Sequence, residues 1–275
     1  MDITPLLNKV TTLLSHVPGI VGIVLGGSRA RGTHQTDSDI DIGIYYDLQA
    51  GFSIDEINKA VMDLNDEPVR EPISPIGGWG PWVNAGGWFV IDGCPVDLIL
   101  RDLVRVEHVI QECLGGKIEA SYQPGHPHAY INGMYMGELA IAQILIDSDQ
   151  RLASLKQKIT PYPGAYKQNM IDFFSFESSF SLMLSQKSVT KDDSYYVMGH
   201  VFRSLSCLNQ ILFAKNEQHC INEKRAVQLI EGFDLKPAHY KQRIDEIIEL
   251  LSPDPHQLGL AAAKLQSLIE ETHNL

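Results

Sequence analysis

Residues 39–46 read Asp-Ile-Asp-Ile-Gly-Ile-Tyr-Tyr, an alternation of acid and isoleucine that runs into two aromatics. A period of two belongs to a β-strand with two unlike faces. The segment therefore predicts a strand that sends Ile40, Ile42 and Ile44 into a core and holds Asp39 and Asp41 on the opposite face. Two like charges side by side repel each other, and hard carboxylate oxygens are neutralised best by a divalent cation such as Mg²⁺ or Mn²⁺. The chain must therefore build a sheet with one packed face and one chemical face.

The stretch just upstream sharpens this. Ile20 to Leu25 is a short β-branched apolar run, long enough for a buried strand and too short for a helix. It ends in Gly26-Gly27, where missing side chains let the backbone approach a bulky anion. Ser28 then opens a helical turn whose free N–H groups and hydroxyl favour phosphate oxygens. A phosphate-binding loop beside paired carboxylates is the makeup of a metal-assisted phosphoryl- or nucleotidyl-transfer site.

The remaining pattern predicts an α+β chain. Thr4-Pro5 reads as a helix start, with Leu6, Leu7, Val10, Leu13 and Leu14 at helical spacing. Ser53 to Glu56 reads as a capping box for a helix to about Leu64. Residues 72–87 form a Gly-, Pro- and Trp-rich loop, followed by a hairpin of Trp88–Ile91 and Val96–Leu100 about Asp92-Gly93. A helix over 102–114 and an edge strand over 117–122 follow. From residue 131 onward only helical periodicity is read, so the expected division is 1–128, a small mixed sheet flanked by helices, and 129–275, an all-helical bundle.

The string Gly26-Gly-Ser-Arg-Ala-Arg-Gly-Thr33 with Asp37-Ser-Asp-Ile-Asp-Ile42 resembles the polymerase-β-type nucleotidyltransferase superfamily. The fuller string resembles the bacterial branch that includes the aminoglycoside and lincosamide nucleotidyltransferases and many uncharacterised relatives. The resemblance covers residues 24–44 and, through a third acidic position, extends to about 101. For that third carboxylate it favours Asp97, inside the apolar Pro95–Leu100, over Asp92, whose Asp-Gly setting a hairpin turn already explains. It implies metal ligation by Asp39, Asp41 and Asp97, and phosphate binding by Gly26, Gly27 and Ser28. Arg29 and Arg31 are placed either on a phosphate or on Asp37. It further implies an enzyme that uses an NTP, expected to be ATP, with Mg²⁺ (or Mn²⁺), moves the NMP to a hydroxyl and releases pyrophosphate. Glu138 is where some relatives keep a catalytic base, and Lys224 is where some keep a triphosphate contact; a surface glutamate and an ordinary lysine are the plainer alternatives.

Other residues carry weaker signals. His126 and His128 flank Pro127 in a loop. Trp79, Trp82 and Trp88 suit either a stacking surface or loop packing, Arg203 interrupts an apolar helix, and Phe173, Phe174, Phe176 and Phe180 read as bundle core. The formal charge is −12, with 8 basic and 17 acidic residues in 1–130. Such a balance disfavours nucleic acid and favours a polycationic small acceptor such as an aminoglycoside, with a physiological substrate equally admitted. The alternatives are transfer to a protein side chain or a tRNA end, as in AMPylators or toxin–antitoxin systems, or a silent nucleotide-binding module. Four scattered cysteines without a CxxC pair suggest reduced thiols, and no signal peptide or apolar span of membrane length is read. The expectation is a cytoplasmic protein, monomer or homodimer.

Overall fold

The computed structural model describes residues 2–35 and 37–275. In chain order the elements are α1 (Thr4–Leu14), β1 (Ile20–Leu25), α2 (Gly27–Arg31), β2 (Ile40–Tyr46), α3 (Ile54–Val61), β3 (Ala85–Ile91), β4 (Cys94–Asp102) and α4 (Leu103–Leu114). Then come β5 (Ala120–Ser121), β6 (Tyr130–Ile131), α5 (Met134–Ile141), β7 (Gln143–Asp147), α6 (Arg151–Lys158), α7 (Gly164–Ser188), α8 (Ser194–Lys215), α9 (Ala226–Ile230), α10 (Tyr240–Glu249) and α11 (Pro255–Asn274). The protein is a mixed α and β chain with a helical C-terminal region.

Two compact units form. The first comprises residues up to Glu112 with Gln123–Gly125 and Tyr135–Pro161; the second comprises Cys113–Tyr122, His126–Met134 and Tyr162–Leu275. In the first unit five strands run in the order β3-β4-β2-β1-β7. Strands β2 and β4 are parallel, while β1–β2, β1–β7 and β3–β4 are antiparallel. The alternation that opened the sequence sets this sheet's two sides. Ile40, Ile42 and Ile44, with Val96, Leu98 and Leu100, are fully buried and pack with Leu6, Val10 and Leu14 of α1 and Ile57 and Val61 of α3. Each such aliphatic side chain contributes about 2 kcal/mol of burial free energy, which holds Asp41 and Asp97 on the other face.

The helix expected from Thr4 begins at that residue rather than being capped by it; Asp2 Oδ1 accepts from the Thr4 amide. Only half of the capping box forms. Ser53 Oγ accepts from the Asp55 amide, and the Glu56 carboxylate turns instead to Lys59 Nζ at 2.7 Å. The hairpin turn has the expected chemistry, with φ of 52° at Asp92 and 74° at Gly93.

Residues 129–275 were expected to be wholly helical, and they are not. Gln143-Ile-Leu-Ile-Asp147 is β7 and pairs along β1 at the sheet edge, and Tyr130–Ile131 pairs with Ala120–Ser121. The run 139–146 is apolar except at Gln143, and so short a run has no clear period to separate strand from helix; the vacant edge of β1 decides it. Two residues, not six, form the strand expected over 117–122.

In the second unit α7 and α8 are the long helices, and serines line their buried sides: Ser178, Ser181, Ser185 and Ser204 are at most 1% exposed. Ser204 Oγ donates to the Ser178 carbonyl at 2.8 Å, and Arg203 pairs with Glu177. Of the four phenylalanines read as core, only Phe174 is buried. Phe173, Phe176 and Phe180 are 41%, 68% and 42% exposed, because the small serines occupy the facing stripe of α7 and rotate the larger rings outward. Among the described residues no helix is long and apolar enough to cross a membrane.

His126 and His128 are structural in this unit. Glu223 Oε1 accepts from the His128 amide at 2.9 Å, and Glu223 Oε2 lies 3.3 Å from His126 Nδ1. Burial raises the Glu223 carboxyl, but the adjacent His126 imidazole and the bond from the His128 amide outweigh it and leave it below the ordinary value of 4.5. Burial, followed by the charge of Arg203, lowers the His128 imidazole from 6.5. Burial lowers His200 and His273 as well. A histidine lowered in the folded state leaves the unfolded chain to take up the proton first, so stability falls as pH drops through the unfolded value. A lowered carboxyl likewise contributes stability that is lost as pH falls from 4.5 through its folded value. Thermal denaturation should therefore show a midpoint that declines from pH 7 to pH 5, less steeply in His128→Asn. A flat midpoint across that interval would refute the assignment.

Candidate active site

Strand β1 delivers the chain to Gly26, whose amide donates to the Asp41 carbonyl at 2.8 Å. The backbone turns sharply there. Gly27 has φ +60°, and a Cβ built on it would lie 1.8 Å from Asp41 Oδ2. The glycine thus lets the Asp41 carboxylate lie directly against the loop. Helix α2 follows for five residues and stops at Gly32, whose φ of 78° is left-handed. Ser28 is half-buried in its first turn, where the first amides of a helix have no partner within it.

Arg29 does not hold Asp37. Its Nη2 donates to the Ser38 carbonyl at 2.6 Å and its Nε to the Asp39 carbonyl at 3.2 Å. The guanidinium therefore fixes the backbone that leads into β2, and with it the position of Asp39. Arg31 is the last residue of α2 and half-buried.

Parallel pairing of β2 with β4 puts Asp41 opposite Asp97, both half-buried. Asp39 stands one residue ahead of β2 and is exposed. Asp97 is opposite Trp88 on β3. A single row thus crosses the chemical face: Gly26, Asp41, Asp97, Trp88. Like charges facing each other across strands repel unless a counter-charge offsets them, and a bound cation would add to that offset. Among the described residues no group of three or more His, Cys, Asp or Glu closes around a potential ion position. The donor chemistry fits a divalent ion shared between these carboxylates and the oxygens of a bound phosphate, rather than an all-protein cage.

Glu138 is not in this row. Arg101 Nε and Nη2 donate to its two carboxylate oxygens at 2.9 and 2.8 Å, and Arg101 also donates to the Val83 carbonyl. Arg101 is four residues along β4 from Asp97, about 13 Å at strand rise, and is 4% exposed. Tyr45 is its register partner, with a phenol pushed well up by burial and then by the Glu138 charge. Tyr135 completes the group, with the Arg101 guanidinium 5.6 Å from its ring centre. Sequence reasoning passed over Arg101, although a charge at i+4 from Asp97 in an apolar strand was a usable signal. Lys224 belongs to the second unit and does not open a helix: it is exposed two residues ahead of α9, its amide donating to Asn222 Oδ1.

The tryptophans divide. Trp82 is 6% exposed, with the Arg105 guanidinium 4.8 Å from its ring centre and its carbonyl accepting from Tyr135 Oη. Trp79 stacks on Trp88, centroids 4.8 Å apart, and Trp88 is 74% exposed.

Residues 7–115 match the model of the nucleotidyltransferase domain family. That span contains β1 to β4, the glycine loop and all three aspartates. No curated protein matches the chain. Among solved structures it aligns with a nucleotidyltransferase-like protein from Exiguobacterium sibiricum at 12% identity, over 98% of this chain and 75% of that one, with a TM-score of 0.46.

Proposed function

We propose, on the premise that residues 7–115 are a nucleotidyltransferase domain and the protein a transferase, that it moves a nucleoside monophosphate, AMP from ATP, onto a hydroxyl of a small molecule. The observation that carries this reading is the in-register pair Asp41–Asp97 beside a loop whose Gly27 has no room for a side chain. Gly26, Gly27 and Ser28 hold the β- and γ-phosphates through amides and hydroxyl, with Arg31 as a further phosphate contact. Asp39, Asp41 and Asp97 would hold Mg²⁺, which when bound would offset charge building up on the phosphate oxygens. The acceptor oxygen bonds to the α-phosphorus as the α–β bridging bond breaks; its electron pair leaves with pyrophosphate, and the hydroxyl proton is released to solvent.

Glu138 is assigned to holding Arg101 rather than to taking that proton, because both its oxygens are already engaged. Residues 1–128 carry the chemistry in this reading, and 129–275 contribute to the choice of acceptor. The charge of −12 favours a polycationic acceptor. Incubation with Mg²⁺, α-labelled ATP and separate panels of aminoglycosides, tRNA and proteins should place the label on a small molecule. Label on protein or tRNA instead would replace the acceptor assignment, and failure to bind Mg·ATP would sink the reading.

A further inference from the structure

Trp88 is the end of the row that contains the carboxylates, and its indole is 74% exposed there. Single exposed apolar side chains are common, but this one belongs to a built surface. Trp79 stacks on it with planes 24° apart. The space for Trp79 is cut by Gly86, on the same face two residues before Trp88. A Cβ there would fall 2.3 Å from Trp79 Cζ3 and 2.4 Å from the Leu98 carbonyl.

The loop that carries Trp79 is pinned by two buried amide side chains. Gln123, 1% exposed, donates from Nε2 to the Trp79 carbonyl at 2.6 Å and accepts at Oε1 from the Trp82 amide at 2.9 Å. Asn84, 9% exposed, donates from Nδ2 to Tyr46 Oη at 2.9 Å and accepts at Oδ1 from the Gly77 amide at 3.1 Å, while its backbone carbonyl accepts from the Trp79 amide at 2.9 Å. Fixed rings in place before binding reduce the entropy lost on association.

The order across the sheet gives the side from which the acceptor approaches. From β1 outward come Gly26, Asp41, Asp97 and Trp88, on strands roughly 4.8 Å apart. With the β- and γ-phosphates at Gly26–Ser28, pyrophosphate departs on the β1 side. In-line displacement brings the nucleophile from the opposite side of the phosphorus, which is the side of β4 and β3. We propose that the Trp79–Trp88 pair seats the acceptor, packing the C–H face of a saturated, hydroxylated ring that carries amines, as in an aminocyclitol or amino sugar. Cations are attracted to indole faces, and the first 130 residues hold 17 acidic side chains against 8 basic. The seat rests on the nucleotidyl-transfer reading above.

Calorimetric titration with the aminocyclitol glycoside neamine tests it, alongside titration with a non-hydrolysable ATP analogue and Mg²⁺. Trp88→Ala should weaken neamine binding about tenfold, the scale of a lost aromatic and cation–π contact, with Trp88→Phe recovering most of it. Nucleotide affinity should stay at the wild-type value, and the thermal midpoint should fall by no more than a few degrees, the scale of the lost Trp79 stack. Equal neamine affinity in wild type and Trp88→Ala, or no saturable neamine binding to the wild type, overturns the seat. So does a loss confined to the nucleotide, which would make the rings a base platform, or a change only in association state. Failure of the wild type to bind the nucleotide analogue overturns the transfer reading and, with it, the seat's role; failure of the Trp88 contrast alone overturns only the seat.

Discussion

Asp41→Asn should lower nucleotidyl transfer by about 10³-fold or more, roughly 4 kcal/mol of barrier, and should leave the thermal midpoint unchanged or slightly higher. The two effects part company because Asp41 faces Asp97 across the parallel pair β2–β4. Removing one of two facing charges relieves repulsion in the folded state, while removing an anionic oxygen from the row weakens the hold on any cation bound with the substrate. Asparagine is nearly isosteric, so packing against Gly27 is kept. Single-turnover transfer and a melting curve on the same preparation check both halves. Activity within tenfold of wild type would displace Asp41 from the chemistry, and a midpoint lowered by many degrees would make the carboxylate structural instead.

Gly27→Ala comes next in size. Its φ of +60° is strained for a residue with a Cβ, and that Cβ would lie 1.8 Å from Asp41 Oδ2. Either the loop or the carboxylate must move. We expect a loss of about 2–3 kcal/mol in stability from the positive φ and the overpacking, and transfer reduced roughly 10²-fold, the cost of a displacement near 1 Å. Gly26→Ala is the internal control. A Cβ there would meet nothing closer than the Asp41 carbonyl at 3.7 Å, an ordinary contact, so its stability should lie within about 1 kcal/mol of wild type. Urea melts and kcat/KM for both variants decide the matter, and equal behaviour of the two would remove Gly27 from any special role.

The first half of the chain was legible because its patterns are local and strict. An alternating strand leaves one arrangement of faces, so the burial of Ile40, Ile42 and Ile44 follows from the residues alone. Ile20–Leu25 and the Asp92-Gly93 turn were equally plain, since a β-branched run and a positive-φ pair each have one inexpensive conformation. The helical half misled in two places for one reason. A mostly apolar run such as Leu139–Ile146 and a row such as Phe173, Phe176 and Phe180 state that something is apolar, not what covers it.

The sequence by itself determined the chemistry on offer: acids at alternate positions, glycines where a strand ends, and a phosphate-binding turn between them. All of these depend on neighbours within a few residues, where backbone geometry leaves little choice. Only the tertiary structure decided which groups meet. The parallel register setting Asp41 against Asp97, the Arg101–Glu138 pairing that takes Glu138 away from the row, the use of Arg29 as a clamp on two carbonyls and the pinning of Trp79 by Gln123 all join distant segments. Their partners are selected by competition for space and hydrogen bonds once the sheet has formed, and no local pattern encodes the outcome of that competition.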